Sequence, residues 1–74
     1  MYLCDLGVGK TSFIKKINFK EDDIIRLYDL GFIIGTKIKT ILESKGIKAY
    51  LCRDSLIALR DIDAKNIIIE DIYD

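Results

Sequence analysis

Residues 36–60, "TKIKTILESKGIKAYLCRDSLIALR", carry the pattern on which the fold turns. The stretch is rich in β-branched residues and is broken at Lys45-Gly46, as two strands joined by a tight turn would be. A two-residue turn there sets Glu43 opposite Lys48 and Ile41 opposite Tyr50. A three-residue Ser44–Gly46 loop is the competing register, and the sequence does not choose between them. Arg53-Asp54 then divides "KAYLC" from "SLIALR", with Asp a suitable turn residue. Three successive strands are expected, with no helix between them.

Upstream, "KTSFIKKI" (10–17) reads as a first strand. Asn18 followed by Glu21 resembles a helix-start capping pair, with Asn in place of Ser or Thr. A helix is expected from there to about Leu30, with Ile24, Leu27 and Tyr28 on one face at i, i+3, i+4 spacing. Gly31 stands where a left-handed residue ends a helix, and Phe32 is then expected to pack back on Leu27. Downstream, "DIDAKN" (61–66) reads as one helical turn and "NIIIEDI" as a last strand. The order is β-α-β-β-β-turn-β. Five short strands with one real helix predict a mostly β fold, a small barrel, because closure removes exposed strand edges. There is no linker, repeat or proline, so residues 1–74 are expected to form one domain.

The opening "CDLGVGKTS" (4–12) raises a different possibility, a phosphate-binding loop. That motif, G-x-x-x-x-G-K-[ST], wraps phosphates in backbone N–H groups, with the lysine on the β/γ-phosphates and the hydroxyl on Mg²⁺. Gly9, Lys10 and Thr11 match its second half, but its first glycine falls on Cys4. It also needs a strand before and a helix after. Met1–Leu3 are too few for that strand, and "TSFIKKINF" reads as a strand rather than a helix. The expectation is a glycine turn leading into the first strand, with no nucleotide bound by this chain.

Twelve basic residues balance twelve acidic ones in 74, so the net charge is zero. That argues against the basic field that nucleic-acid or anionic-membrane binding needs. Half the residues are hydrophobic, ample for a core. A domain this small nevertheless buries only ~60% of its unfolded surface and has little core to give up to a deep pocket. No apolar run approaches the ~20 residues of a membrane helix, and "MYLCDLG" lacks the features of a signal peptide. A cytoplasmic location without membrane insertion is expected. Cys4 and Cys52 read as reduced thiols, either small buried hydrophobes or reactive or metal-binding groups. The chain has no histidine, which removes the usual structural zinc sets and the nucleophile–histidine pair. Glu21, Asp22 and Asp23 suit the first turn of a helix better than an acid/base pair. The expectation is no enzyme, no cofactor and no metal site.

"RLYDLGFIIGTKIKTI" joined to "SLIALRDIDAKNIIIE" resembles the ferrous iron transport protein A (FeoA) family of small bacterial cytosolic proteins. That family's first block is R-L-x-x-L-G-[FM]-x-P-G-x-x-[IFV]. Arg26, Leu27, Leu30, Gly31, Phe32, Gly35 and Ile38 match it. The second block, x-[IL]-[AV]-L-R-x-x-x-A-x-x-[IL]-x-[VI], is matched by Ile57, Ala58, Leu59, Arg60, Ala64, Ile67 and Ile69. Two departures stand out: Ile34 replaces the usual proline, and a glycine common near Arg53-Asp54 is absent. The resemblance implies an SH3-like β-barrel with one helix inserted after the first strand. It also implies a role in ferrous iron uptake beside the membrane permease FeoB, which carries its own GTPase domain. Nucleotide chemistry would then belong to the partner.

The residues offered for partner binding are Ile33, Ile34, Ile41, Tyr50 and Arg60. Ile33 and Ile34 fall in the loop after the expected helix. Ile41 interrupts the polar side formed by Lys37, Lys39 and Glu43, and Tyr50 is its neighbour in the two-residue-turn register. The alternative for these apolar residues is ordinary scattered exposure. Arg60 reads either as a guanidinium fork for a partner carboxylate or as a structural pair with Asp61 or Asp63. Three functions are expected to compete. The first is a non-catalytic accessory protein that binds and modulates the FeoB permease. The second is a metal-responsive module related to the C-terminal domain of iron-dependent repressors, although 74 residues leave no room for their helix-turn-helix. The third, an SH3-like peptide binder, wants an aromatic-lined groove, and this chain has no Trp and only four Tyr and three Phe.

Overall fold

The structure, a computed structural model, describes residues 1–19, 29 and 31–71. A 3-10 turn (Leu3–Asp5) precedes strand β1 (Thr11–Ile17). Strands β2 (Lys37–Ser44), β3 (Ile47–Cys52) and β4 (Ser55–Arg60) follow, then a short helix α1 (Asp61–Ala64) and strand β5 (Ile67–Ile69). The strands form one sheet in the order β4-β3-β2-β1-β5, and every neighbouring pair is antiparallel. The helix expected after β1, with Glu21, Ile24, Leu27 and Tyr28, lies outside the described residues. So does the Leu27 contact expected of Phe32. Asp29 is helical.

Both tight turns match their sequences. Lys45 and Gly46 have φ of 46° and 80°, and Ser44 pairs with Ile47, as a two-residue hairpin of type I′ requires. The two-residue register therefore holds, and Glu43 does stand opposite Lys48. Arg53 opens the β3–β4 turn at φ 60°, a left-handed backbone that glycine adopts more easily. That is where the glycine common in the FeoA pattern is missing.

The expected pairing of Ile41 with Tyr50 is wrong. Tyr50 pairs with Thr40 and Leu42 pairs with Ala49, so Ile41 is the extra residue of a β-bulge. Below the bulge, Ile38 and Thr40 face inward opposite Cys52 and Tyr50. Past it the alternation shifts by one, so Leu42 joins the outer face beside Ala49. Glu43 swings to the side of Lys48, where Lys48 Nζ lies 3.3 Å from Glu43 Oε1 and 2.8 Å from Asp61 Oδ1. The shift lets a lysine only 5% exposed meet two carboxylates at the rim of the barrel.

The inner faces of β1, β2, β3 and β5 converge on Ile14, Ile38, Tyr50, Ile67 and Ile69, closed at one end by Leu3 and Leu6 and by Ala64 of α1. Each of the large side chains here contributes roughly 1.5–3 kcal/mol by leaving water. Buried polar groups are matched: Ser12 Oγ reaches Glu70 O at 2.8 Å, and Thr40 Oγ1 donates to Leu6 O at 2.8 Å. Gly31 has φ 101°, as a residue ending a helix would. Its carbonyl accepts from Cys52 Sγ at 3.1 Å, which ties this corner to the end of β3.

Candidate interaction surface

The stretch 4–12 does not have the geometry of a phosphate loop. It begins in the 3-10 turn Leu3–Asp5 and runs into strand β1 at Thr11, with no strand before it and no helix directly after it. Its amides are turned onto the protein: Gly9 N–H donates to Thr40 O at 2.7 Å and Lys10 N–H to Gly7 O at 3.0 Å. A glycine turn opens β1, as the sequence predicts, and Thr11 is the first residue of that strand.

Neither cysteine has a reactive setting. Cys52 is wholly buried and Cys4 is half-buried against the core. Burial pushes both thiols above their ordinary value of 9.0, reinforced at Cys4 by the charge of Asp5 and opposed at Cys52 by Arg53. A raised thiol holds little of the thiolate that attacks or ligates at neutral pH. Among the described residues no group of three or more His, Cys, Asp or Glu side chains is placed to hold a metal ion.

Of the residues offered for partner binding, Ile33, Ile34 and Ile41 are exposed, Ile34 at 55%. Tyr50 is not: it is 0% exposed, and its hydroxyl points toward Leu3 O at 3.5 Å. Its placement on an outer surface is corrected to the centre of the core. Arg60 Nε donates to Asp63 Oδ2 at 3.0 Å, the structural pair named as its alternative. At an exposed position such a pair contributes ~0–1 kcal/mol.

The register reveals apolar residues that the alternation of "KIKTILE" had concealed. On the outer face of β2–β3–β4, Leu51 pairs with Leu56, and Leu42, Ala49 and Ala58 form the next row. Leu42 is 62% exposed and Leu56 64%, with Ile47 and Leu51 also open. A bulge leaves no signature in composition, so Leu42 reads as a core residue until its partner is known. At one end of this face Thr11, Lys37, Lys39, Leu51 and Arg53 line a shallow cleft of about 300 Å³.

The family's sequence model for the FeoA domain matches residues 1–71. The chain belongs to the FeoA family. Solved structures agree with this fold. The solution structure of FeoA from Chlorobium tepidum has a TM-score of 0.82 at 23% identity, covering 93% of this chain and 68% of that one. Iron(II) transport protein A from Clostridium thermocellum has a TM-score of 0.85 at 23% identity. The match covers 95% of this chain but 44% of that protein. FeoA from Stenotrophomonas maltophilia, solved with zinc and described as a prokaryotic SH3 domain protein, has a TM-score of 0.78 at 21% identity, covering 95% and 89%. No curated protein matches the chain by sequence. The mostly β architecture is thus the SH3-like fold of FeoA, a family linked to ferrous iron transport.

The zinc belongs to the S. maltophilia protein. No helix among the described residues is long and apolar enough to cross a membrane.

Proposed function

We propose that this FeoA domain is a non-catalytic accessory protein of ferrous iron uptake that binds the cytosolic part of the FeoB permease and modulates it. Membership of the FeoA family over residues 1–71 carries the reading. The surface supports it. Among the described residues the ion pairs and the thiols serve the structure: Lys48 pairs with Glu43 and Asp61, Arg60 with Asp63, and two thiols are held protonated by burial. Apolar side chains also face solvent, Ile33 and Ile34 in the loop before β2 and Ile41 on β2. Buried apolar area is the usual source of protein–protein affinity. The S. maltophilia relative is itself described as a candidate ferrous iron transport activating factor.

The test is capture of full-length FeoB from detergent-solubilised membranes by the immobilised intact chain, with an unrelated permease as control. Specific retention, and a change in FeoB-dependent ferrous iron uptake when the chain is removed, is the expected result. Retention no better than the control, with uptake unchanged, overturns the reading.

A further inference from the structure

We infer that the outer face of β2–β3–β4 is a docking surface for an amphipathic segment of a partner protein that carries acidic residues beside its apolar face. This rests on the proposed role as a permease-binding protein and names the surface and the chemistry that such binding uses.

The first observation is area. Leu42, Ile47, Leu51 and Leu56 are 39–64% exposed, and Ile41 flanks them on the bulge at 38%. Together they present roughly 500 Å² of apolar surface, near the upper end of what an ordinary monomer leaves open. The patch is built on paired strands and not on a loop: Leu51 and Leu56 are direct cross-strand neighbours, and Leu42 stands across from Ala49. Ala49 and Ala58 keep the middle of the face low between the leucines. A shallow trough floored by alanines, with Leu51 and Leu56 on one side and Ile47 on the other, accepts a convex apolar stripe, such as one face of a helix.

The second observation is charge. Lys37, Lys39 and Arg53 sit at one end of the same face, around the cleft that Leu51 shares. None of them makes an ion pair with a described residue, whereas the buried Lys48 is matched twice. Three like charges converge there in a chain whose net charge is zero. Carboxylates on the incoming segment would offset that repulsion and fix the segment's direction. The ~500 Å² of apolar area also falls short of the ~800 Å² that each partner buries in a standard interface, and this basic end supplies the missing rim.

A second copy fits the face poorly. Two such faces packed about a two-fold axis along the strands bring the three cations, with only Asp54 among them, against the same group. An axis across the strands sets them over the row Ser44, Ile47 and Arg60, whose one charge is already matched by Asp63 and leaves no carboxylate for them. An acidic partner meets neither obstacle.

The experiment uses the intact chain and the soluble cytosolic domain of FeoB as the probe. Amide shifts of the ¹⁵N-labelled chain are followed during titration, beside Leu56→Asp, Lys39→Glu and Ile34→Asp, with thermal melts of each variant. We expect shifts along residues 37–42, 47–51 and 53–58. Leu56→Asp should weaken binding at least tenfold and Lys39→Glu roughly three- to tenfold, the Lys39 effect shrinking as salt is raised. Unchanged melts would separate both from unfolding, because both side chains are exposed. Shifts confined to 31–35, with only Ile34→Asp weakening the complex, overturn this surface while leaving the permease reading intact. No binding by any form overturns both. Sedimentation that shows a dimer of the chain abolished by Leu56→Asp, with FeoB affinity unaffected, assigns the face to a second copy and also overturns the proposal.

Discussion

Thr40→Val tests how the opening loop is held. Thr40 is fully buried in β2, and its hydroxyl donates to Leu6 O at 2.8 Å. Its carbonyl accepts from Gly9 N–H and its amide donates to Lys10 O at 3.1 Å. Valine keeps the shape, the strand propensity and both backbone bonds, and removes only the hydroxyl. The loss comprises one net hydrogen bond and the desolvation penalty of the orphaned Leu6 carbonyl, together about 1–3 kcal/mol. Domains hold ~0.05–0.15 kcal/mol per residue, so this is a large share of the total for so short a chain. At roughly 4–8 °C per kcal/mol for a domain of this size, the melting temperature should fall by about 5–20 °C. Thr40→Ser is the control: it keeps the donor and loses one methyl, for about 1 kcal/mol. Urea titration of the three proteins, with amide exchange at residues 7–10, is the assay. A Val variant as stable as the parent, or more stable than Ser, would show that water satisfies Leu6 O and that the hydroxyl is not the clamp.

Gly31→Val should cost roughly 1–3 kcal/mol, because a β-branched residue is strained at φ 101° even though its Cβ would meet Arg53 Cδ only at 3.5 Å; an unchanged denaturation midpoint refutes it. Ile34→Pro should stabilise by ~0.4–1 kcal/mol through the unfolded chain. Thr36 N–H donates to Ile33 O at 2.9 Å and Gly35 has φ 90°, so Ile34 occupies the second position of a type II turn, where proline fits; a lower melting temperature would show otherwise. Stability should decline in alkali. Burial raises Tyr50 above its ordinary 10.0 and Cys52 above 9.0, while the hydrogen bond to Asp61 raises Lys48 above 10.5. Each group binds its proton more tightly in the folded state. Their stabilisation is therefore complete below about pH 9 and is lost progressively above it as the unfolded chain releases protons first. Melting temperatures and tyrosinate absorbance from pH 8 to 11.5 check this: Tyr50 should ionise only as the fold is lost, and a melting temperature flat to pH 11 would contradict it.

The succession of strands along the chain and both turns are legible because each rests on local chemistry. Lys45-Gly46 and Arg53-Asp54 punctuate runs of β-branched residues, and Gly31 stands where the chain must reverse. The failure at Tyr50 came from assuming that alternation runs unbroken through β2. Unbroken alternation puts every second residue from Lys37 to Glu43 outside, which makes Ile41 the lone apolar intruder and Tyr50 its neighbour. One extra residue at Ile41 changes the side of everything after it. The competing patterns are physical alternatives, and burial decides between them. Without the bulge, Thr40 could stay opposite Tyr50 only with a three-residue loop at Ser44–Gly46, and then Leu42 would turn toward the rim of the core and Glu43 would face away from Lys48. With it, the buried ammonium gains a second carboxylate, and the leucine is pushed to solvent. Exposing Leu42 forgoes roughly 1.5–3 kcal/mol of burial, whereas a buried lysine left short of partners forfeits several. The apolar outer face is in this sense the other side of the Lys48 ion pairs: the same shift that satisfies the charge inside exposes the leucine that a partner can cover.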